Sequence, residues 1–132
     1  MNKKQAKLDY KLNHRQMGVF QIRNLMTDRI YIASSVDVPG FINRSTFQLN
    51  AGAHPSRSLQ KDWKEFGEEN FAFEILEEVL PREDQHYNYR ADIEFLEDLW
   101  LEKEQPYGER GYNEKKKTRE ERLRMIANNR RV

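Results

Sequence analysis

Carboxylates make up most of the residues in this chain that can move a proton or hold an ion. It has three histidines, six tyrosines and no cysteine, so such work falls to imidazoles, phenol hydroxyls and carboxylates. Taken singly, each has a plain reading. Tyr31 is an ordinary strand aromatic, His54 beside Pro55 a loop histidine, and His14 and His86 exposed side chains. Glu94, Glu97, Asp98 and Glu102 read as the solvated face of a helix. There is no Gly-rich phosphate loop, nucleophile elbow or HExxH pattern, so P-loop hydrolysis, acyl transfer and zinc proteolysis lack their motifs. The informative spacing lies near the N-terminus. Gly18-Val19-Phe20 and Tyr31-Ile32-Ala33 are near-copies of one signature with ten residues between Phe20 and Tyr31.

Both copies sit in strand-like runs. Val19, Gln21 and Arg23 alternate with Phe20 and Ile22, then Ile30 and Ile32 with Tyr31, joined by the turn-prone Leu25-Met26-Thr27-Asp28. Pro39-Gly40 breaks the chain before a helix over 41–49, closed by Gly52. A second helix, capped by Ser56 or Ser58, runs to Phe66 and stops at Gly67. Phe71, Phe73, Ile75 and Leu76 form a third strand that ends by Pro81. An amphipathic helix is expected over 84–103, with Ile93, Leu96, Leu99 and Trp100 on one face. The aromatic set Phe47, Trp63, Phe66, Phe71, Phe73, Phe95 and Trp100 is assigned to the core. Three strands with helices between and after predict an α/β (α+β) sandwich: a small, three-stranded, largely antiparallel sheet flanked by helices.

At 132 residues with 37% hydrophobic content, the chain has room for one modest core. No apolar run reaches the ~20 residues of a membrane span, and no signal-peptide pattern opens the chain; with no cysteine, the expected setting is the cytoplasm. The net charge of +1 hides an uneven layout. Residues 1–17 carry five Lys/Arg against one acid, and 114–132 carry eight against three. The middle, 18–113, carries ten against eighteen. Phosphate contacts supply most non-specific affinity for nucleic acid, so binding would fall to the basic ends or a local patch.

The order of segments resembles the GIY-YIG nuclease family over roughly residues 17–113. Beyond the hairpin, the matching pieces are Gly52-Ala53-His54, Leu59-Gln60-Lys61-Asp62-Trp63, Phe66-Gly67, Phe71-Ala72-Phe73-Glu74-Ile75-Leu76-Glu77, Glu97-Asp98-Leu99-Trp100 and Gly111-Tyr112-Asn113. The resemblance implies metal-dependent hydrolysis of DNA phosphodiesters, with Mg²⁺ or Mn²⁺ on Glu97 and with Tyr31, His54 and Asn113 retained as site residues. It also implies a tyrosine, an arginine and a histidine where this chain has Phe20, Phe41 and Ser45. An arginine fork holds phosphate through two hydrogen bonds, and loss of one such donor typically costs about 10²–10³ in rate. Arg44, three residues after Phe41, is the nearest substitute cation.

Two functions stay open at this point. One is a GIY-YIG-type endonuclease, weakened or silenced by those replacements. The other is a non-catalytic module of the same fold that binds nucleic acid or protein. The layout is a basic N-terminal arm or helix over 1–16, the GIY-YIG-like domain over 17–113, and a basic C-terminal helix or tail over 114–132. DNA through the basic ends, or a protein, is the expected partner; no membrane and no small-molecule cofactor is expected.

Overall fold

The computed structural model describes residues 16–84, 86–115 and 119–129. The N-terminal arm lies outside them except for Gln16, whose carbonyl accepts a hydrogen bond from the Val38 N–H at 2.8 Å. Three strands form one antiparallel sheet in the order β2-β1-β3, with β1 at Met17–Asn24, β2 at Ile30–Ser35 and β3 at Phe71–Val79. The central strand is the most buried of the three, as a strand covered on both faces must be. Its register with β3 shifts between Val19 and Phe20, beside Gly18 at φ +148°. A Cβ at Gly18 would collide with the Glu77 carbonyl oxygen, so only glycine fits this close crossing.

Helix α1 spans Val38–Ala51 and α2 Arg57–Phe66. The first begins earlier than the sequence suggests. Pro39 sits in its first turn, where the missing N–H costs nothing, and Asp37 caps it by accepting from the Gly40 N–H at 3.1 Å. Gly52 closes it in the left-handed conformation at φ 76°, as expected. Ser56 is the cap of α2. Helix α3, Tyr89–Glu104, starts later than expected, because the Asp84 side chain binds the His86 N–H at 2.9 Å and holds a turn there. Helix α4 occupies Arg119–Asn129 of the basic C-terminal segment.

The period-2 alternation sorts the strands onto two faces. Phe20, Ile22, Ala33 and Phe71 pack with Val38, Leu49, Leu59 and Trp63 of the first two helices and with Tyr112. Val19 and Ile32 face the other way, against Leu96, Trp100 and Leu101 of α3. The sheet therefore lies between two helical layers. Two of the aromatics assigned to the core are not in it: Phe47 is 75% exposed and Phe95 64% exposed. Leu99, expected on the inward face of α3, also points outward. Among the described residues no helix is long and apolar enough to cross a membrane.

Candidate active site

Strand β2 carries Tyr31 half-buried beside His54, which lies in the loop between α1 and α2 and is buried. Their rings meet edge to face with centroids 5.5 Å apart. The loop is held from several sides. Gln60 accepts from the His54 N–H at 3.1 Å and donates to the Leu49 carbonyl at 2.9 Å, tying the loop to the end of α1. The Ser56 hydroxyl donates to the Tyr112 carbonyl at 2.9 Å. His54 Nδ1 accepts from the Ser56 N–H at 3.0 Å, so the proton of the neutral ring belongs on Nε2. Burial lowers the His54 pKa below its ordinary 6.5. At neutral pH this histidine is a donor, its lone pair already committed.

Burial raises the Tyr31 pKa, and the carboxylates of Glu97 and Glu114 push it the same way. Glu97 is half-buried on α3 and thus acts electrostatically on the Tyr31 hydroxyl. Among the described residues no group of three or more His, Asp or Glu forms a metal cage. The carboxylates acting on Tyr31, Glu97 and Glu114, are hard oxygen donors, the ligand type that suits hard divalent cations.

Asn113 spends both ends of its amide on β2. Its Oδ1 accepts from the Ile32 N–H and its Nδ2 donates to the Ile32 carbonyl, both at 2.8 Å. The Tyr112 N–H donates to the Ile30 carbonyl at 2.8 Å, and Gly111 bridges to Ile30. The 111–113 segment thereby acts as an extra rung along the open edge of β2 and fixes the backbone on both sides of Tyr31. Asn113 is placed to position the tyrosine.

Phe20 and Phe41 belong to the same core cluster that Tyr31 packs against. Phe20 is fully buried, and Phe41 packs edge-on against it with centroids 5.2 Å apart. Ser45 is buried as well. The three positions at which the family resemblance implies polar groups are thus one apolar contact and one small hydroxyl. Arg44 is exposed, with its guanidinium 5.0 Å from the centroid of the Phe41 ring.

A buried polar network behind the site was not anticipated from sequence. The Tyr112 hydroxyl donates to Asp62 at 2.7 Å and accepts from Asn24 at 3.2 Å. Arg29 binds Asp62 at 3.0 Å, reaches the carbonyls of Gly108 and Gly111, and stacks over the Tyr112 ring. Burial first, then the bond to Asp62, pushes Tyr112 up to about 12. The one sequence signal was Gly111-Tyr112-Asn113 itself. The pairing of Arg29 with Asp62, 33 residues away, has no local signature.

No protein-family model and no curated protein matches the chain. Two solved structures do. The catalytic domain of the homing endonuclease I-TevI superposes with a TM-score of 0.63 at 26% identity, over 76% of this chain and 99% of that one. A glutamate-to-alanine mutant of the catalytic domain of the same intron endonuclease gives 0.62 at 25% identity, over 78% and 97%. I-TevI is a GIY-YIG homing endonuclease. The likeness supports a GIY-YIG-like relationship for this chain. The α+β architecture and the antiparallel sheet are those of the I-TevI catalytic domain, so the fold is nuclease-like. Tyr31 touches His54 and feels the Glu97 carboxylate, and it packs against the same core cluster as Phe20 and Phe41.

Proposed function

We propose that this GIY-YIG-like domain hydrolyses DNA phosphodiesters slowly, with a divalent ion, Mg²⁺ or Mn²⁺, at Glu97. The observation that supports it is the grouping of a half-buried tyrosine, a neutral histidine and a half-buried carboxylate that acts electrostatically on the tyrosine. A divalent ion there supplies positive charge to polarise a phosphate oxygen and the leaving oxygen. Tyr31 orients the attacking water through a hydroxyl that burial and the nearby carboxylates keep protonated, and the water's proton leaves to solvent. His54 donates from Nε2 toward phosphate. Asn113 keeps Tyr31 in place through Ile32. Arg44 is the cation beside Phe41, and its stacked position there leaves phosphate without a buried arginine fork. The catalytic unit is residues 17–113, with the basic arm over 1–16 and Lys115-Lys116-Lys117 meeting the DNA backbone.

The Phe20–Phe41 contact favours a second reading, a binding module that has kept the fold and given up the chemistry. Incubating the protein with supercoiled plasmid and Mg²⁺ or Mn²⁺, beside Glu97→Ala, separates the two. Nicking by the wild type that vanishes in the variant is the expected result. DNA retained in a mobility shift, with no nicking in either metal, selects the binding module.

A further inference from the structure

Tyr112 reaches the supports of both side chains on which the proposed hydrolysis relies. Its N–H donates to the carbonyl of Ile30, the residue before Tyr31, and its neighbour Asn113 bonds both polar groups of the Ile32 backbone. Its carbonyl accepts from the Ser56 hydroxyl at 2.9 Å, and the Ser56 N–H is the donor to His54 Nδ1. Tyr31 lies on β2 and His54 in the loop after α1, yet the backbone of one residue joins the two.

The Tyr112 side chain is what fixes that backbone. The residue is 2% exposed, and its hydroxyl lies between Asn24 and Asp62, both buried. Asn24 Oδ1 is taken by the Met26 N–H at 2.9 Å, so the amide presents its NH₂ to the tyrosine. The phenol proton therefore goes to Asp62, at 2.7 Å. The same Asp62 oxygen accepts from Arg29 at 3.0 Å, and that guanidinium lies 4.4 Å from the centroid of the Tyr112 ring. Arg29 also donates to the Gly108 and Gly111 carbonyls, at 3.1 and 3.3 Å, which holds the backbone entering the 111–113 segment. One ring is thus fixed by a charge-assisted bond at its hydroxyl and by a cation on its face. Packing alone would be met by an apolar ring. A buried phenol, carboxylate and guanidinium bonded together instead specify one orientation.

We infer that the Arg29–Asp62–Tyr112 network is a positioning device that sets Tyr31 and His54 jointly, through the 111–113 segment and through Ser56. A displacement of Tyr112 moves Ile30 and Ser56 together, so both site side chains answer to one change. The three residues act through Tyr31 and His54. Their effect on rate rests on the proposed hydrolysis; their effect on geometry does not.

The test uses the full chain and has two arms. In the first, NMR follows the Tyr31 ring and the ring nitrogens of His54, whose shifts report its tautomer. Tyr112→Phe and Asp62→Ala are each expected to displace the Tyr31 signals and to mix the His54 tautomers, where the wild type keeps the proton on Nε2. Arg29→Lys keeps the charge, loses the fork and is the milder variant, with the same changes expected if either of the others fails to fold. Asp62→Asn keeps an acceptor for the phenol and should bring both sets of signals back toward the wild type. Spectra taken well below each melting temperature leave a plain loss of stability without effect. Variants that leave both sets of signals in place, or move one set and not the other, overturn the proposal. In the second arm, nicking of plasmid with Mg²⁺ by Tyr112→Phe should show kcat reduced by up to about 10²-fold, as for a misplacement of about 1 Å, with KM for DNA unchanged. A raised KM with kcat unchanged overturns the proposal, because the network would then meet the substrate. A wild type that does not nick counts against the hydrolysis alone, and the NMR arm still decides the positioning.

Discussion

Two groups of residues that share one core cluster at the candidate site follow opposite rules. On the Tyr31 side, polar groups are kept and oriented: His54 is tied to Ser56, Gln60 clamps its loop, and Asn113 pins the strand. At Phe20 and Phe41 the site is apolar and filled, the two rings packing edge to face. Filling was structurally easy. Phe20 lies inside the main core cluster and Phe41 against it, so an aromatic there gains burial without breaking a strand or a helix. Emptying the Tyr31 side would be harder, since its polar groups also hold the edge of β2 and the loop after α1. The fold holds with two phenylalanines at positions 20 and 41, but it needs much of the tyrosine side to hold together.

That asymmetry is broken most sharply by restoring the clamp. Phe20→Tyr with Phe41→Arg is expected to raise the single-turnover nicking rate by about 10²–10³, the typical worth of one such donor. Phe20→Tyr alone should add little to the rate and cost about 1–3 kcal/mol, because its hydroxyl enters a fully buried site. Thermal melts beside the kinetics keep the two effects apart. A folded double variant no faster than wild type would mean that the Tyr31 side has also stopped working.

Much of the fold was legible because local signals agreed. Period-2 runs gave the three strands, Gly52 and Gly67 ended their helices, and Ser56 capped the second. The misreadings came from positions where local and tertiary signals part. Pro39 looks like a break but suits a first helical turn, and Asp84 looks like a helix start but holds a turn. Phe47 and Phe95 look like core by residue type alone, yet both lie on outward faces. The site residues were reached through the family resemblance, because no spacing along the chain brings Tyr31, His54 and Glu97 together. The Arg29–Asp62–Tyr112 network stayed hidden for the same reason.

A smaller effect is expected at Asn113. Its two bonds to Ile32 lie on the strand edge, so Asn113→Ala should cost about 1 kcal/mol of stability. The effect on rate can be larger, since a shift of about 1 Å at a reacting group costs up to about 10²-fold. If Asn113 is a positioning residue, kcat falls and KM for DNA holds. A rise in KM with kcat unchanged would show that it meets the substrate instead.

The finest distinction within the Tyr31 side rests on the proton of His54. Burial lowers its pKa below 6.5, so the folded protein favours the neutral ring. On acidification the unfolded chain takes up this proton first. The stability contributed by the neutral ring is therefore full above pH 6.5 and declines as the pH drops through and below that value. Protonation also threatens the Ser56 contact, since Nδ1 accepts there only through its lone pair. The nicking rate should accordingly hold as the pH falls to 6.5 and drop below it, and His54→Gln should remove that acid limb while leaving the fold intact. An acid limb centred above 6.5 would contradict a buried neutral histidine, and a limb unchanged in His54→Gln would assign it to another group.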